Sequence, residues 1–519
     1  MTSAGSGSAG NQAAFAGLLA VLVWAPVPLA SNRSWALALL AIVCSGLLLF
    51  VVGRAAAAGR PLLGDTSQRS AKWLVPVGLL VAYGLLVLAQ LAPLPAALRA
   101  WFVPGATAAG TVSVDPFATQ KYLLACVAYA SVFGLVLLLV NTPQRLRWLM
   151  GAVLVSGVAQ AVLAVFLLSL RTDYQFLFTM FPAGDRAVGT FANTDHLAGY
   201  LQLALAMGVG LMLTGVDADT NNGDGWRGNT VTMLKFLMST RMLVRLLLVM
   251  MVIALVLTRS RGGNAAFFIA LLVTGVWVAV RSPQLRRTAV VVVLSMVVVD
   301  LVVIGQWVGI DKVVQRMEAT SIKRQAEAAT TPGVAPSVAA RATVRREESL
   351  EERLFAARYA LGMVRERPLL GFGGGTFHSA FPRFKGEHPL GLYEHAHNDY
   401  VEVAADTGVL GLLLLLTLVA TSLWRAARAL SDRSPPHVRG AAAAVVMATL
   451  SMAVHSFVDF NMHVPANALT FCAILAMAWC LPSTHKSRQS RQSRQSSSRH
   501  QTTAASPSAS PSASAEAST

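Results

Sequence analysis

Twelve apolar stretches, separated mostly by short polar connections, constrain this 519-residue chain more than any other feature. A helix of roughly 20 apolar residues crosses the hydrocarbon core of a bilayer. The stretches are Ala13–Ala30, Trp35–Val52, Trp73–Leu91, Tyr122–Val140, Leu149–Leu170, Leu197–Thr214, Met242–Thr258, Ala265–Val280, Ala289–Val308, Val401–Trp424, Ala441–Phe460 and Ala466–Leu481. In lipid each backbone polar group has to be bonded within the protein, so such runs fold as helices. They predict an all-α polytopic membrane protein with about twelve transmembrane helices.

Composition agrees. Charged residues make up 13% of the chain, where a soluble domain carries about 25%, and mean hydropathy is +0.56. A net charge of +17 raises nucleic acid as a partner. The basic residues, however, mostly occupy short loops between apolar runs, where they set topology and form no phosphate-binding face. Cys44, Cys126, Cys472 and Cys480 all lie within apolar runs and have no metal-ligand spacing, so they read as small hydrophobes.

The chain divides accordingly. Residues 1–12 are Gly, Ser and Ala without a basic segment, so they predict a disordered N-terminus and no cleavable signal peptide. Helices one to nine occupy 13–308, a long loop with amphipathic helices 309–398, and helices ten to twelve 399–482. Residues 483–519 are rich in Ser, Arg, Gln and Pro and predict a disordered cytoplasmic tail.

Alternating loops separate by charge. Arg145/Arg147, Arg281/Arg286/Arg287, Arg425/Arg428/Arg439 and the Arg-rich tail fall on one side, which the positive-inside rule makes cytoplasmic. Both termini are then cytoplasmic. The same parity sends four polar segments to the opposite face: Arg186–Tyr200, Ser260–Gly263, the His397 cluster, and Asp459-Phe460-Asn461-Met462-His463.

Each segment has a plain structural reading beside a chemical one. Asn193, Thr194 and Asp195 suit a helix cap, which does not require Arg186, a permanent bidentate donor suited to phosphate. His196 reads as a polar interfacial residue. Ser260-Arg261-Gly262-Gly263 follows a short apolar run: Leu246 to Thr258 makes about 20 Å of helix against a hydrocarbon core of about 30 Å. A turn there can hold Arg261 at phosphate depth, with glycines admitting a ligand close to backbone N–H groups; an ordinary tight turn is the alternative. Asp300 and His455 lie within apolar runs, where a functional role and a packing role are both open. Ser349–Glu366 predicts an amphipathic helix. The Gly371–Gly375 run has neither a preceding strand nor a Lys-Ser/Thr ending, so it is no nucleotide loop and predicts a flexible or tight approach to the histidines.

Glu394-His395-Ala396-His397-Asn398-Asp399-Tyr400 concentrates proton-handling groups directly before an apolar helix. His397-Asn398 is followed, after nine residues, by Gly408 and then Gly411. A neutral imidazole accepts a hydroxyl proton near neutral pH, Asn398 and Asp399 can orient it, and His395 ranks second.

Taken in order, Arg186…Gly189-Thr190-Phe191…Asn193, Ser260-Arg261-Gly262, Pro368-Leu369-Leu370-Gly371…Gly375-Thr376-Phe377 and His395-Ala396-His397-Asn398 resemble the bacterial O-antigen ligase/polymerase superfamily. The resemblance runs from about Arg186 to Asn467. It implies a class C glycosyltransferase-like fold in the bacterial inner membrane, with a periplasmic long loop and active site, and metal-independent, inverting transfer without a cofactor. The implied partners are a glycan donor on undecaprenyl diphosphate, a lipid A–core acceptor and membrane lipids. Carried over, Arg186 and Arg261 hold the diphosphate and His397 serves the acceptor hydroxyl. Asn193, Ser260, Gly262, His395, Asn398, Asp399, Gly408 and Gly411 support them. An O-antigen polymerase and a protein O-oligosaccharyltransferase share these motifs. A lipid-linked-sugar transporter is the alternative of a different class and would show paired repeats, which the sequence lacks.

Overall fold

Among the described residues, each of the twelve apolar runs contains a helix. The computed structural model describes residues 3–59, 67–170, 172–177, 179–181, 184–214, 240–303, 350–386, 393–431 and 434–482. Within them the spans are α1 (Ser3–Trp24), α2 (Ser34–Ala57), α3 (Ser67–Leu91), then a short α4 (Ala96–Phe102), α5 (Pro116–Leu139), α6 (Pro143–Leu170), α7 (Thr194–Thr214), α8 (Thr240–Leu257), α9 (Arg261–Arg281) and α10 (Arg286–Val303). After the 304–349 interval come α11 (Leu350–Glu366), the one-turn α12 (Phe377–Ala380), α13 (Asp399–Ala429), α14 (Pro436–His455) and α15 (Pro465–Cys480). Eight of these helices are long and apolar enough to cross a membrane, and Gly10–Trp24, Met242–Leu257 and Pro465–Cys480 are shorter apolar helices. The protein is an all-α polytopic membrane protein.

Several expectations change in detail. Helix α1 reaches back to Ser3, into the segment expected to be disordered, because adding residues to an existing helix is far easier than nucleating one. A two-stranded hairpin not foreseen in the sequence, β1 (Tyr174–Phe176) with β2 (Thr179–Phe181), precedes the Arg186 segment. The amphipathic helix forms as α11 over the described residues Leu350–Glu366. The side chain of Asp300, most of the long loop and the 483–519 tail lie outside the described residues.

Helix α7 sits at the centre and packs along α14, α6 and α8. Its glycines explain how closely. A Cβ on Gly208 would meet Leu248 Cδ2 at 2.4 Å, and one on Gly210 would meet Ala444 Cβ and the Gly440 carbonyl at 2.6 Å. Small residues let helix backbones approach in a membrane, where tight packing replaces the hydrophobic drive. Helix α14 thus stands between two groups of helices. One group is α7 and α9; the other is α13 and α15, with α3 and α5 beyond them.

Candidate functional site at one end of the bundle

Two of the helices that meet here start the same way. Asn398 accepts the Val401 N–H at 3.0 Å and caps α13; Ser260 accepts the Gly263 N–H at 3.0 Å and caps α9. Each cap follows a residue in the left-handed region, His397 with φ 52° and Arg259 with φ 54°. That conformation costs a non-glycine residue roughly 1–2 kcal/mol, and such strain collects at functional positions. Ser260-Arg261-Gly262-Gly263 is therefore a helix start and not the turn expected between two spans. Its glycines serve packing: a Cβ on Gly262 would meet Val458 at 2.7 Å, and one on Gly263 would meet Ala198 at 2.7 Å.

The spacing from His397-Asn398 to Gly408 and Gly411 also has a physical reading. Helix α13 is interrupted at Gly408, with φ 72° and ψ 175°. The Leu369 carbonyl lies where a Gly408 side chain would be, and a Cβ on Gly411 would strike the Thr407 side chain and come to 3.3 Å from Tyr83. The Gly371–Gly375 run then docks on the break. Phe372 N–H donates to the Ala405 carbonyl at 2.9 Å, Gly373 N–H to the Asp406 carbonyl at 2.9 Å, and Gly375 N–H to Asp406 Oδ2 at 2.7 Å. With φ 65°, 117° and 73° at Gly371, Gly373 and Gly375, this run is the tight approach and not the flexible one.

The four polar segments meet at this end. Asp399 N–H donates to the Ser456 carbonyl at 3.0 Å, and Asp399 Oδ2 accepts the Ser456 hydroxyl at 2.7 Å. Asn467 joins the His196 carbonyl to Asn461. Ala187 N–H donates to the Leu257 carbonyl at 3.0 Å, and Asp185 pairs with Arg259, which brings the Arg186 segment beside the Arg261 segment. Asn193 caps α7 as expected, accepting the Asp195 N–H at 3.0 Å. Arg186 is half-buried and Arg261 exposed.

Phe460 organises the histidines. The His395 ring stacks on it at 4.0 Å between centroids, while His196 and His397 meet it edge-on at 4.6 and 5.0 Å. His196 is thus buried within the site and not merely interfacial. His397 is 7% exposed.

On the α13 side, Glu402, which sequence reasoning passed over, holds the cluster. Its Oε1 lies 2.6 Å from His395 Nδ1 and 3.4 Å from His463 Nε2, and its Oε2 accepts the Ala396 N–H at 2.8 Å. His463 Nδ1 contacts Asp399 Oδ1 at 2.9 Å. An ionised carboxylate only accepts hydrogen bonds, so His395 carries its hydrogen on Nδ1 and His463 is protonated on both nitrogens. Burial opposes the His463 charge, but Glu402 and Asp399 outweigh it and push the imidazolium up to about 10. Helical spacing of Asp399 and Glu402 from the His-Asn pair was the available signal.

On the α7 and α9 side, Asp459 is fully buried between His196 Nε2 at 3.8 Å and His455 Nε2 at 3.6 Å. Burial, and after it the charge of Asp195, holds the Asp459 carboxyl above the usual carboxylate range. His455 is also 3.2 Å from Gln202, whose amide donates to the Gly263 carbonyl at 2.7 Å. Arg353 of α11 donates to Asp195 Oδ2 at 2.6 Å and to the Val458 carbonyl at 3.1 Å, fastening the amphipathic helix over the site.

His395, Glu402 and His463 each bring a ligand atom within 4.8 Å of the others, a donor set that suits a divalent transition ion by type. Those atoms already satisfy one another, and Asp399 completes His463, so the cluster is balanced as it stands. A cavity of about 710 Å³ opens beside it, lined by His395, Asp399, Glu402 and His463 together with Lys121 and Glu394 and by many apolar side chains. Arg186, Arg261 and His397 do not line that cavity.

Residues 246–416 match a protein-family model described as O-antigen ligase. Over this region the chain is similar to the O-antigen ligase family. The O-antigen ligase match contains Ser260, Arg261, Gly262, the glycine run, His395–Asp399, Gly408 and Gly411, and it stops short of the Asp459–His463 turn; the Arg186 segment precedes it. No curated protein matches the chain. The family supports a glycosyltransferase-like enzyme, held here in a multi-pass helical membrane protein.

Proposed function

We propose that this protein is an O-antigen ligase, transferring a glycan from undecaprenyl diphosphate to a sugar hydroxyl of lipid A–core on the periplasmic face of a bacterial inner membrane. Residues 309–398 are then the periplasmic loop, and both termini are cytoplasmic. The observation that carries the reading is the meeting of the Arg186 and Arg261 segments with the His395–His397 cluster at one end of a membrane bundle.

The chemistry follows from that arrangement. A polyprenyl diphosphate is an activated leaving group, so the protein has to neutralise its charge and accept the proton of an attacking hydroxyl. Arg186 and Arg261 bind the diphosphate as planar forks, with Asn193, Ser260 and Gly262 shaping their segments. His397 is the general base, and His395, Asn398 and Asp399 position it and the acceptor. Attack opposite the leaving group inverts the anomeric carbon, and transfer proceeds without a metal.

Deleting the gene tests the reading against its relatives in the superfamily. Full-length glycan stranded on the carrier is expected of a ligase. Single repeat units on the carrier would assign a polymerase, a lost protein glycan would assign a protein O-oligosaccharyltransferase, and unchanged glycans would remove all three.

A further inference from the structure

Helix α11 carries two apolar faces, and the fold uses one of them. Ala356, Ala360 and Met363 are buried against Phe372, Phe377 and Phe381. On the opposite side Leu354, Arg358, Leu361 and Arg365 have the spacing of a single helical stripe, and all four are exposed. Leu354 and Leu361 are 55% and 41% exposed, and Leu369, just past the helix, is 50% exposed. Single exposed leucines are ordinary on a helix in water. What matters here is the depth at which this stripe lies.

Both ends of α11 are pinned where spans begin or end. At one end Arg353 donates to Asp195 Oδ2 and to the Val458 carbonyl. Asp195 opens α7, which runs to Thr214, about 30 Å of helix and so the thickness of a hydrocarbon core. Val458 follows the end of α14 at His455. At the other end the Pro368 carbonyl accepts the Val409 N–H at 2.7 Å. From Val409 to Arg425, near the far end of α13, is about 24 Å of helix, so Pro368 lies no farther out than the bilayer surface. A helix held at that depth at both ends lies along the interface. Its stripe also continues into the lipid-facing wall: Leu369 abuts Gly408, and Val409, Leu410 and Leu413 beyond it are exposed.

We propose that the outer face of α11 docks on the surrounding bilayer. Arg358 and Arg365 bind the headgroup phosphate of an anionic phospholipid, and Leu354, Leu361 and Leu369 rest against the acyl chains beneath it. The charge suits that occupant. A guanidinium forks onto phosphate oxygens while its stem lies along apolar surface, and Glu366 beside the stripe is engaged by Arg383 at 3.5 Å and Arg367 at 4.0 Å. Interleaved arginine and leucine is the pattern of a helix lying in the interface. The docking holds whatever the site transfers. It also sets the height of α11, whose Arg353 grips the start of α7.

The test uses the full-length protein in phosphatidylcholine nanodiscs doped with one of two photoreactive lipids. One is a phosphatidylglycerol and the other a phosphatidylcholine, each with a diazirine at the headgroup end of a chain, and labelled peptides are read by mass spectrometry. The phosphatidylglycerol is expected to label Leu354–Leu369 in preference to the phosphatidylcholine. Both should label Leu410 and Leu413 of α13, which report insertion. Arg358→Gln combined with Arg365→Gln is expected to cut the α11 labelling roughly 10- to 30-fold and leave the α13 labelling as it was. Should that variant fail to insert, the preference of the parent protein between the two lipids decides alone. Labelled α13 with silent α11 overturns the proposal. Equal α11 labelling by both lipids also overturns it, since the contact is then apolar proximity without phosphate. Amide protection of α11 that persists in detergent and rises with protein concentration gives the face to a second copy of the chain, and overturns it too.

Discussion

Oε1 of Glu402 lies 2.6 Å from Nδ1 of His395, and the carboxylate making that contact is 1% exposed. The pair leaves Nε2 of His395 as the nitrogen able to accept a proton, since Nδ1 carries the hydrogen. Glu402→Gln keeps the shape and loses the charge. A hydrogen bond to a charged group is worth about 1.5–3 kcal/mol, so kcat is expected to fall roughly 10- to 100-fold with donor affinity held. Steady-state kinetics on the purified variant check this; a parental kcat would release Glu402 from the site.

His397→Ala is expected to insert and bind donor normally while transfer drops about 10²–10⁴-fold, the usual worth of general-base catalysis. Its left-handed backbone, φ 52°, gives a useful control. His397→Gly relieves the strain and removes the imidazole, so it should be as inactive as the alanine variant although its turn is preserved. Activity at the parental rate in either variant would defeat the base assignment.

Arg186→Lys and Arg261→Lys keep the charge and lose the planar fork. Each is expected to raise KM for the lipid-linked donor about tenfold, the equivalent of one charged hydrogen bond. Their segments adjoin through the Ala187–Leu257 hydrogen bond and the Asp185–Arg259 pair, so the double variant should fall short of additivity. Undiminished donor use by both single variants would remove them from the phosphate role.

His463 makes stability depend on pH in a defined direction. Its folded value, about 10, stands above the ordinary 6.5, so folding takes up a proton. The stabilisation is complete below about 6.5 and is lost as pH rises through about 10. Asp399, Glu402 and Asp406 of α13 face it, with the His395 ring beside it. Thermal unfolding in detergent should show a Tm that falls between pH 7 and 10, whereas His463→Gln should have a lower and flatter profile. An equally steep decline in the variant would place the titration elsewhere.

Arg353 ties α11 to the start of α7 through Asp195 at 2.6 Å, with 21% and 9% of the two side chains exposed. Breaking a buried pair by removing one partner costs about 3–5 kcal/mol, and partial exposure places this one toward the lower end. Arg353→Ala is expected to loosen α11 locally, read as faster amide exchange over Leu350–Glu366, and to slow transfer without unfolding the bundle. Unchanged exchange in α11 would show that other contacts hold it.

The sequence by itself determined the helical membrane architecture, since runs of apolar residues in lipid have essentially one way to satisfy their backbone. It also singled out the polar segments that meet at one end of the bundle, because Arg186, Arg261 and the His395–Asp399 cluster are charged or titratable groups set between apolar spans where such groups are rare. Capping by Asn193 was legible, being a local matter of three residues, whereas Asn398 and Ser260 proved to be caps only in the structure. What the tertiary structure decided is which groups face one another. Glu402 is an ordinary acidic residue one turn into a helix until His463, some sixty positions later, closes on it. Phe460 reads as the end of an apolar span, yet its ring meets three histidines from two separate segments. The glycines at 408 and 411 read as a motif, and their reason is that the Leu369 backbone fills the side-chain space at Gly408 while the Thr407 side chain fills it at Gly411. Periodicity and spacing record what a residue does with its own helix. Contacts between distant helices depend on how those helices pack, and a single chain of letters carries no distance between them.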